Sequence, residues 1–162
     1  MSQYRTQIDR AEAGFTLVEL IVVIVIVGVL AAMAAPRFFD NRTFAERGYF
    51  EELAAALRYS RSAAVVTGCP VRFELTASGY SAEQQQPAGG RCDPGDSVWG
   101  QAVSLGDGSV VAGTAPAGVL ATPAVSFVFD ALGATSLSAD QAISVGSHSL
   151  EVHAASGFTE VL

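Results

Sequence analysis

The chain of 162 residues contains no lysine: all nine basic residues are arginines, and the last of them is Arg91. Beyond Cys92 there are seven acidic residues (Asp93, Asp96, Asp107, Asp130, Asp140, Glu151 and Glu160) and no Lys or Arg, so the distal half carries the whole formal net charge of −7. Nucleic-acid affinity rests on cations that neutralise phosphates, and an acid-only surface repels them, so nucleic acid is a disfavoured partner. Histidine is scarce as well, with only His148 and His153, and neither falls in a recognised catalytic or metal-binding pattern. The spacing His148-x-x-Glu151-x-His153 resembles a ligand cluster, but on a strand alternate residues point to opposite faces, which sets His148 apart from Glu151 and His153. Asp93 and Asp96 supply two carboxylates where calcium takes about six to eight oxygens. No catalytic residue, cofactor or metal is therefore expected, and the chain is expected not to be an enzyme. The single tryptophan, Trp99, fits either a core anchor or an exposed contact.

What the sequence does have is one long apolar run. Phe15 to Ala35 reads FTLVELIVVIVIVGVLAAMAA, and at about 1.5 Å per residue it makes a helix of roughly 31 Å, the thickness of a hydrocarbon core of about 30 Å. Its valines and isoleucines suit a strand in water, but no strand runs this long. A cleaved secretory signal is the rival reading. It would have a shorter apolar region, of about 7–15 residues, closed by a small-x-small site, which Ala31 to Ala35 offers only at the far end. Glu19 is the one charge in the run. An acid inside a membrane helix is costly and usually has a partner or a function; the plainer alternative is an interfacial carboxylate that reaches the headgroups.

After the run, Pro36 predicts a kink in a continuing helix rather than its end. From Phe44 to Val65 the residues Phe50, Leu53, Ala54, Leu57 and Ala64 recur near helical spacing, with Arg47, Glu51, Arg58 and Arg61 on other sides. Arg47 and Glu51 are spaced as an i,i+4 pair, and Thr67-Gly68 ends the helix. Alternation then replaces the helical period. Val71, Phe73 and Leu75 oppose Arg72 and Glu74, and TASG leads into Tyr80 as a hairpin. Further strands are expected over Ala102–Leu105, Ser109–Val111, Val125–Phe129, Gln141–Val145, His148–Val152 and Phe158–Val161, divided by glycine-bearing turns. Gln84 to Gly100 and the stretch TAPAGVLATP read as surface connections.

The segment Gly14-Phe15-Thr16-Leu17-Val18-Glu19, running directly into the apolar stretch, resembles the type IV prepilin family. Its leader ends in Gly, its mature chain begins with an N-methylated Phe, and its fifth mature residue is Glu. The resemblance implies cleavage between Gly14 and Phe15 by a prepilin peptidase, methylation of Phe15, and pairing of Glu19 with such an amine on a neighbouring subunit during assembly. Two features depart from the pattern: Glu12 lies close to the cleavage site and the leader has no lysine. Arg5 and Arg10 are matched by Arg37 and Arg42, so the positive-inside bias does not orient the chain by count. The leader motif orients it instead and places the chain beyond Pro36 in the periplasm.

The helix ELAAALRYSRSAAV running into a Cys and a strand, then VSFVFDALG and the closing SLEVHAASGFTEV, is similar to the GspH/FimT branch of minor pilins and pseudopilins. APRFFD and the tail look most like a mannose-sensitive haemagglutinin type system. The fold implied is α+β and type IV pilin-like, a long N-terminal helix, transmembrane in its first half and kinked near Pro36, packed on an antiparallel β-sheet. The implied division is a leader over 1–14, a transmembrane and filament-core helix over 15–35, an amphipathic half over 36–67 and a β-rich periplasmic domain over 68–162. The implied partners are other pilin or pseudopilin subunits, the prepilin peptidase, the inner-membrane assembly platform and the inner membrane itself. In a chain exported to the periplasm, Cys69 and Cys92 pair most simply as a disulfide, with two separate thiols as the alternative. Two other functions fit the branch: DNA uptake, which would have to use Arg72 and Arg91, and surface adhesion through the Gln84–Gly100 loop.

Overall fold

The computed structural model describes residues 15–34, 41–86, 92 and 98–162. The chain divides into two units, residues 1–40 and 41–162. The first contains helix α1, Leu17–Ala34. Pro36, where a kink is expected, lies outside the described residues.

The second unit opens with helix α2, Asn41–Thr67. Ala and Leu supply strong helix propensity through its centre, and one face is buried: Tyr49, Phe50, Leu53, Ala54, Ala56, Leu57, Ser60 and Ala64. Ser60 is satisfied there because its hydroxyl donates to the Ala56 carbonyl one turn back, at 2.7 Å. The helix stops where expected. Gly68 adopts a φ of +69°, and its N–H donates to the Ala64 carbonyl at 2.9 Å, a glycine cap at the first non-helical residue. The i,i+4 ion pair that forms is Arg42–Glu46, at 2.9 Å. The expected Arg47–Glu51 pair is not among those found, and both side chains are exposed.

Nine strands come next among the described residues: β1 Val71–Thr76, β2 Gly79–Gln85, β3 Trp99–Ala102, β4 Ala112–Thr114, β5 Ala121–Thr122, β6 Val125–Phe129, β7 Gln141–Val145, β8 His148–Val152 and β9 Thr159–Val161. They form two antiparallel sheets. In the first, β1 pairs with β2 on one side and β6 on the other, while β3 and β4 both pair with β2; the second has the order β5-β7-β8-β9. The α+β class with antiparallel pairing is as expected, but the strands are shared between two sheets rather than one. Alternation sends Val71, Phe73, Leu75, Phe127 and Phe129 inward from the first sheet and Ile143, Val145, Leu150 and Val152 inward from the second. These side chains form one core with the buried face of α2. Phe127 lies edge-on to Phe129, with ring centroids 5.1 Å apart, an arrangement that the ring quadrupoles favour.

The expected strands over 102–105 and 109–111 are displaced. The ladder uses 99–102 and 112–114 instead, because β2 is shared end to end: β4 takes Gly79 to Ser81 and β3 takes Glu83 to Gln85. Between them Ala82 bonds to both returning chains, accepting from the Val103 N–H and donating to the Val111 carbonyl. Val103 and Val111 are buried, so their hydrophobicity marks the core side of the crossing rather than the strands themselves. Bare backbone is needed at this crossing, since a Cβ on Gly79 would lie 2.4 Å from the Gly113 carbonyl oxygen. TAPAGVLATP is also more than a connection. Val119 and Ala121 are buried, and β5 adds an edge to the second sheet through Ala121 opposite Val145.

Arg61, placed by its helical position on a solvent side, fastens the two sheets. Its Nε donates to the Ser156 carbonyl at 2.8 Å and the Gly133 carbonyl at 3.3 Å. These are the turns after β6 in the first sheet and after β8 in the second. The same turns meet so closely that a Cβ on Gly157 would lie 2.1 Å from the Gly133 oxygen.

Leu57 is fully buried at the centre of this core, whereas Leu132 is 86% exposed at a turn. Urea unfolding of the full chain in detergent should show Leu57→Ala destabilising by about 2–5 kcal/mol and Leu132→Ala changing stability by no more than about 0.5 kcal/mol. Equal losses at the two positions would contradict the packing described.

Candidate assembly site

Phe15 and Thr16 precede α1, and Thr16 caps it. Its Oγ1 accepts the Glu19 N–H at 3.2 Å, and its carbonyl accepts the Leu20 N–H at 3.2 Å. The sequence Thr16-x-x-Glu19 is a capping-box spacing, and an acid in the first turn complements the positive end of the helix dipole. Beyond it the large apolar residues from Leu17 to Leu30 are all exposed, from 47% at Ile21 to 74% at Leu17, and Phe15 is 84% exposed. The helix is therefore apolar on every side, with Glu19 its one charge. At about 1.5 Å per residue it is about 27 Å long. Among the described residues no helix is long and apolar enough to cross a membrane. Gly14 lies outside the described residues.

Cys69 and Cys92 are joined in a disulfide with Cα atoms 5.2 Å apart. The bond ties the residue after Gly68, at the end of α2, to the segment beyond β2. Trp99 begins β3, and the Arg72 guanidinium lies over its ring at 5.1 Å while also pairing with Glu83. The tryptophan is thus a half-buried platform on the solvent face of the first sheet rather than a core anchor. Arg91 lies outside the described residues, so the structure does not place it near Arg72.

The histidines separate as strand alternation requires. His148 packs on Phe50 beneath α2, with ring centroids 5.3 Å apart. His153, on the other face, lies between two carboxylates, with Nδ1 3.0 Å from Asp140 and Nε2 3.3 Å from Glu160. Asp140 is the larger cause, and Glu160 the next, of a His153 pKa raised above the ordinary histidine value. The Asp140 carboxyl is held below its ordinary value, first by the Ala154 N–H it accepts and then by His153. Glu160 also stands directly opposite Glu151 across the β8–β9 ladder, a like-charge juxtaposition that protonated His153 offsets. Among the described residues no three His, Cys, Asp or Glu side chains converge as a metal site. The sequence offered no signal for the Asp140–His153–Glu160 cluster, because Asp140 reaches His153 only through the pairing of β7 with β8.

Residues 9–35 match the prokaryotic N-terminal methylation motif, and residues 50–155 match the family of type II transport protein GspH. The chain belongs to the GspH family. Over 53 residues it is 47% identical to the type IV narrow pilus major component PilA5 of Thermus thermophilus, covering 33% of this chain and 46% of that protein. Over 61 residues it is 39% identical to a fimbrial protein of Pseudomonas aeruginosa, covering 36% of this chain and 38% of that one. The chain thus spans less than half the length of these relatives. A crystal structure of the type IV minor pilin FimU of Pseudomonas aeruginosa aligns with a TM-score of 0.46 at 17% identity, over 69% of this chain and 88% of that one. The methylation motif of this GspH-family chain covers Gly14, Phe15 and Glu19 together with α1, and the GspH match covers the core of the second unit.

The bond between Cys69 and Cys92 spans 23 positions, a loop whose closure contributes about 3–4 kcal/mol by chain entropy. Reduction should lower the unfolding free energy by about that amount, and thiol titration of unfolded, unreduced protein should find no free thiol. Two titratable thiols would contradict the pairing. A second outcome concerns pH. Because folding raises the pKa of His153, its stabilisation is present in full below the unfolded value of about 6.5 and is lost as pH rises through the folded value; Asp140 acts in the opposite sense and contributes above about 3.9. The unfolding midpoint of wild type should exceed that of His153→Gln near pH 6, and the difference should shrink on the alkaline side. A difference that does not change with pH would assign His153 a packing role only.

Proposed function

We propose that this chain is a minor pilin or pseudopilin, a non-enzymatic subunit that enters a type IV pilus or a type II secretion pseudopilus and acts in its assembly or priming. The observation that carries the proposal is the methylation motif lying over a helix with apolar side chains exposed on every side. A helix apolar all round must be covered by lipid or by other helices. The same surface serves both states in turn: it is held in the inner membrane with the second unit in the periplasm, then packed against sister helices in the filament. In this reading the prepilin peptidase cleaves between Gly14 and Phe15, Phe15 is N-methylated, and the assembly platform delivers the subunit.

Glu19 then sets the register. A carboxylate and an ammonium in apolar surroundings each lose hydration, and pairing Glu19 with the Phe15 amine of a neighbour offsets part of that loss at one axial position only. The capping geometry suits this role, because Thr16 leaves the helix start at Leu17 and places Glu19 in the first turn, close to the new terminus.

Coexpression with a prepilin peptidase should shorten the chain by its first 14 residues and leave a methylated Phe15, as read by mass spectrometry; Gly14→Trp should block the change. Glu19→Ala should leave cleavage and insertion intact, since it removes a charge that is costly in the bilayer. It should nevertheless reduce the share of the subunit recovered in sheared filaments by at least about tenfold, because an unpaired buried ammonium costs several kcal/mol. An unchanged mass in the wild type would overturn the proposal. Normal incorporation of the Glu19→Ala subunit would remove the register role.

A further inference from the structure

Two features of α2 have no use within the subunit, and their charges are opposite. The first is a hollow of about 430 Å³ between α2 and the chain that returns from β3 to β4, with Glu52, Ala55, Tyr59, Tyr80, Leu105 and Val110 in its walls. Its shape is held from both ends. The Tyr59 hydroxyl donates to the Ser104 carbonyl at 2.8 Å, and the Tyr80 hydroxyl donates to Glu52 Oε1 at 2.6 Å. Burial, and then the bond to Glu52, raise the Tyr80 phenol above its ordinary pKa and keep it a donor. A carboxylate accepts about four hydrogen bonds; among the described residues Glu52 receives this one and is in no ion pair. Apolar walls, aromatic faces and one unneutralised carboxylate suit a guanidinium on a methylene stem. The stem packs on Ala55, Leu105 and Val110, the charge lies beside the tyrosine rings, and the fork bonds to Glu52.

The second feature is a pair of such groups. Arg47 and Arg58 lie about three turns apart on one solvent stripe of α2, both are exposed, and among the described residues neither has a partner. The other described arginines are engaged: Arg42 with Glu46, Arg72 with Glu83, and Arg61 with two carbonyls.

We infer that the hollow at Glu52 and Tyr59 receives an arginine of the Arg47–Arg58 stripe from a second copy of this chain. The inference rests on the subunit reading above and names a contact in the second unit that accompanies the packing of α1. Donor stripe and acceptor hollow are different faces of the same helix, so the contact is heterologous. Each copy that receives an arginine still offers its own, so the contact does not close as a two-fold dimer.

The test uses the full chain in membranes with its assembly machinery, carrying a photo-crosslinking phenylalanine analogue in place of Val110, which lines the hollow and is exposed. The expected adduct joins position 110 of one copy to the segment 47–58 of another. Glu52→Arg, and separately Arg47→Glu with Arg58→Glu, should each lower the adduct by at least about tenfold, as loss of one partner of a desolvated charge pair does. Combining all three in one chain should restore it to within a few-fold of the parent. Retention of the Cys69–Cys92 disulfide reports folding, and Glu52→Gln, which keeps an acceptor for Tyr80, replaces Glu52→Arg if that variant does not fold. An adduct on another protein or on another part of the chain would overturn the inference, as would a combined variant no better than the single changes. If Phe15 processing and the effect of Glu19→Ala hold while the adduct is absent, the subunit reading stands and this contact fails. If Phe15 is never exposed, the subunit reading itself has failed and the inference falls with it.

Discussion

The second unit depends on one apolar stripe, the face of α2 made by Tyr49, Phe50, Leu53, Ala54, Leu57 and Ala64. Neither sheet is a closed structure, and the two share no strand. A sheet of four or five strands with one apolar face must cover that face, and here the inward rows of both sheets join a single core with the same helix. The burial is hydrophobic and non-directional, so it brings the elements together without fixing their angle. Directional contacts do that: the Arg61 guanidinium bonded to the turns at Gly133 and Ser156, the glycine crossings at Gly79 and Gly157, and the disulfide at the end of α2.

Charge is distributed with the same economy. The arginines all precede Cys92 and the chain beyond is acidic, yet the ion pairs found are local or between adjacent strands, as Arg42–Glu46 and Arg72–Glu83 show. What remains unneutralised is therefore not spread evenly. Among the described residues a pair of arginines stands on the solvent side of α2 and Glu52 lies in an apolar hollow. A surface divided in this way is suited to meeting another subunit through unlike faces. It is poorly suited to a phosphate backbone, which would meet seven acids and no cation along the distal half.

The two units solve opposite problems. In the second, the large apolar groups of both sheets and of one face of α2 join a buried core, while others, such as Phe44, Val66 and Leu132, stay exposed, as is ordinary for a domain in water. In the first, every large apolar side chain from Leu17 to Leu30 is exposed, a surface that water alone disfavours. Membership of the GspH family and the methylation motif sit on these two solutions separately, one on the sheets and one on the helix.

Much of this was legible in the residues. The apolar run, the acid at Glu19, the stop at Gly68 and the strands at Val71, Val125, Gln141 and His148 come from period, propensity and turn chemistry, which are properties of neighbouring residues. The site motif was legible for the same reason, since Gly14, Phe15 and Glu19 lie within six positions of one another. Where several distant segments compete for one partner, local pattern failed. The hydrogen-bonding edge of β2 is divided between two strands, so the ladder ran over 99–102 and 112–114 rather than over the expected 102–105 and 109–111. The buried pair Val119 and Ala121 made an edge strand of what composition marked as a loop. Arg61 became a clamp between sheets, His153 acquired the Asp140 carboxylate, and Glu52 acquired a hollow and the Tyr80 hydroxyl, each through groups 13 or more positions away. Sequence alone determined where the helices and most of the strands lie, because those choices are made within a few residues. Only the tertiary structure decided which charges are satisfied and which are left to meet another molecule, because an ion pair depends on distance in space.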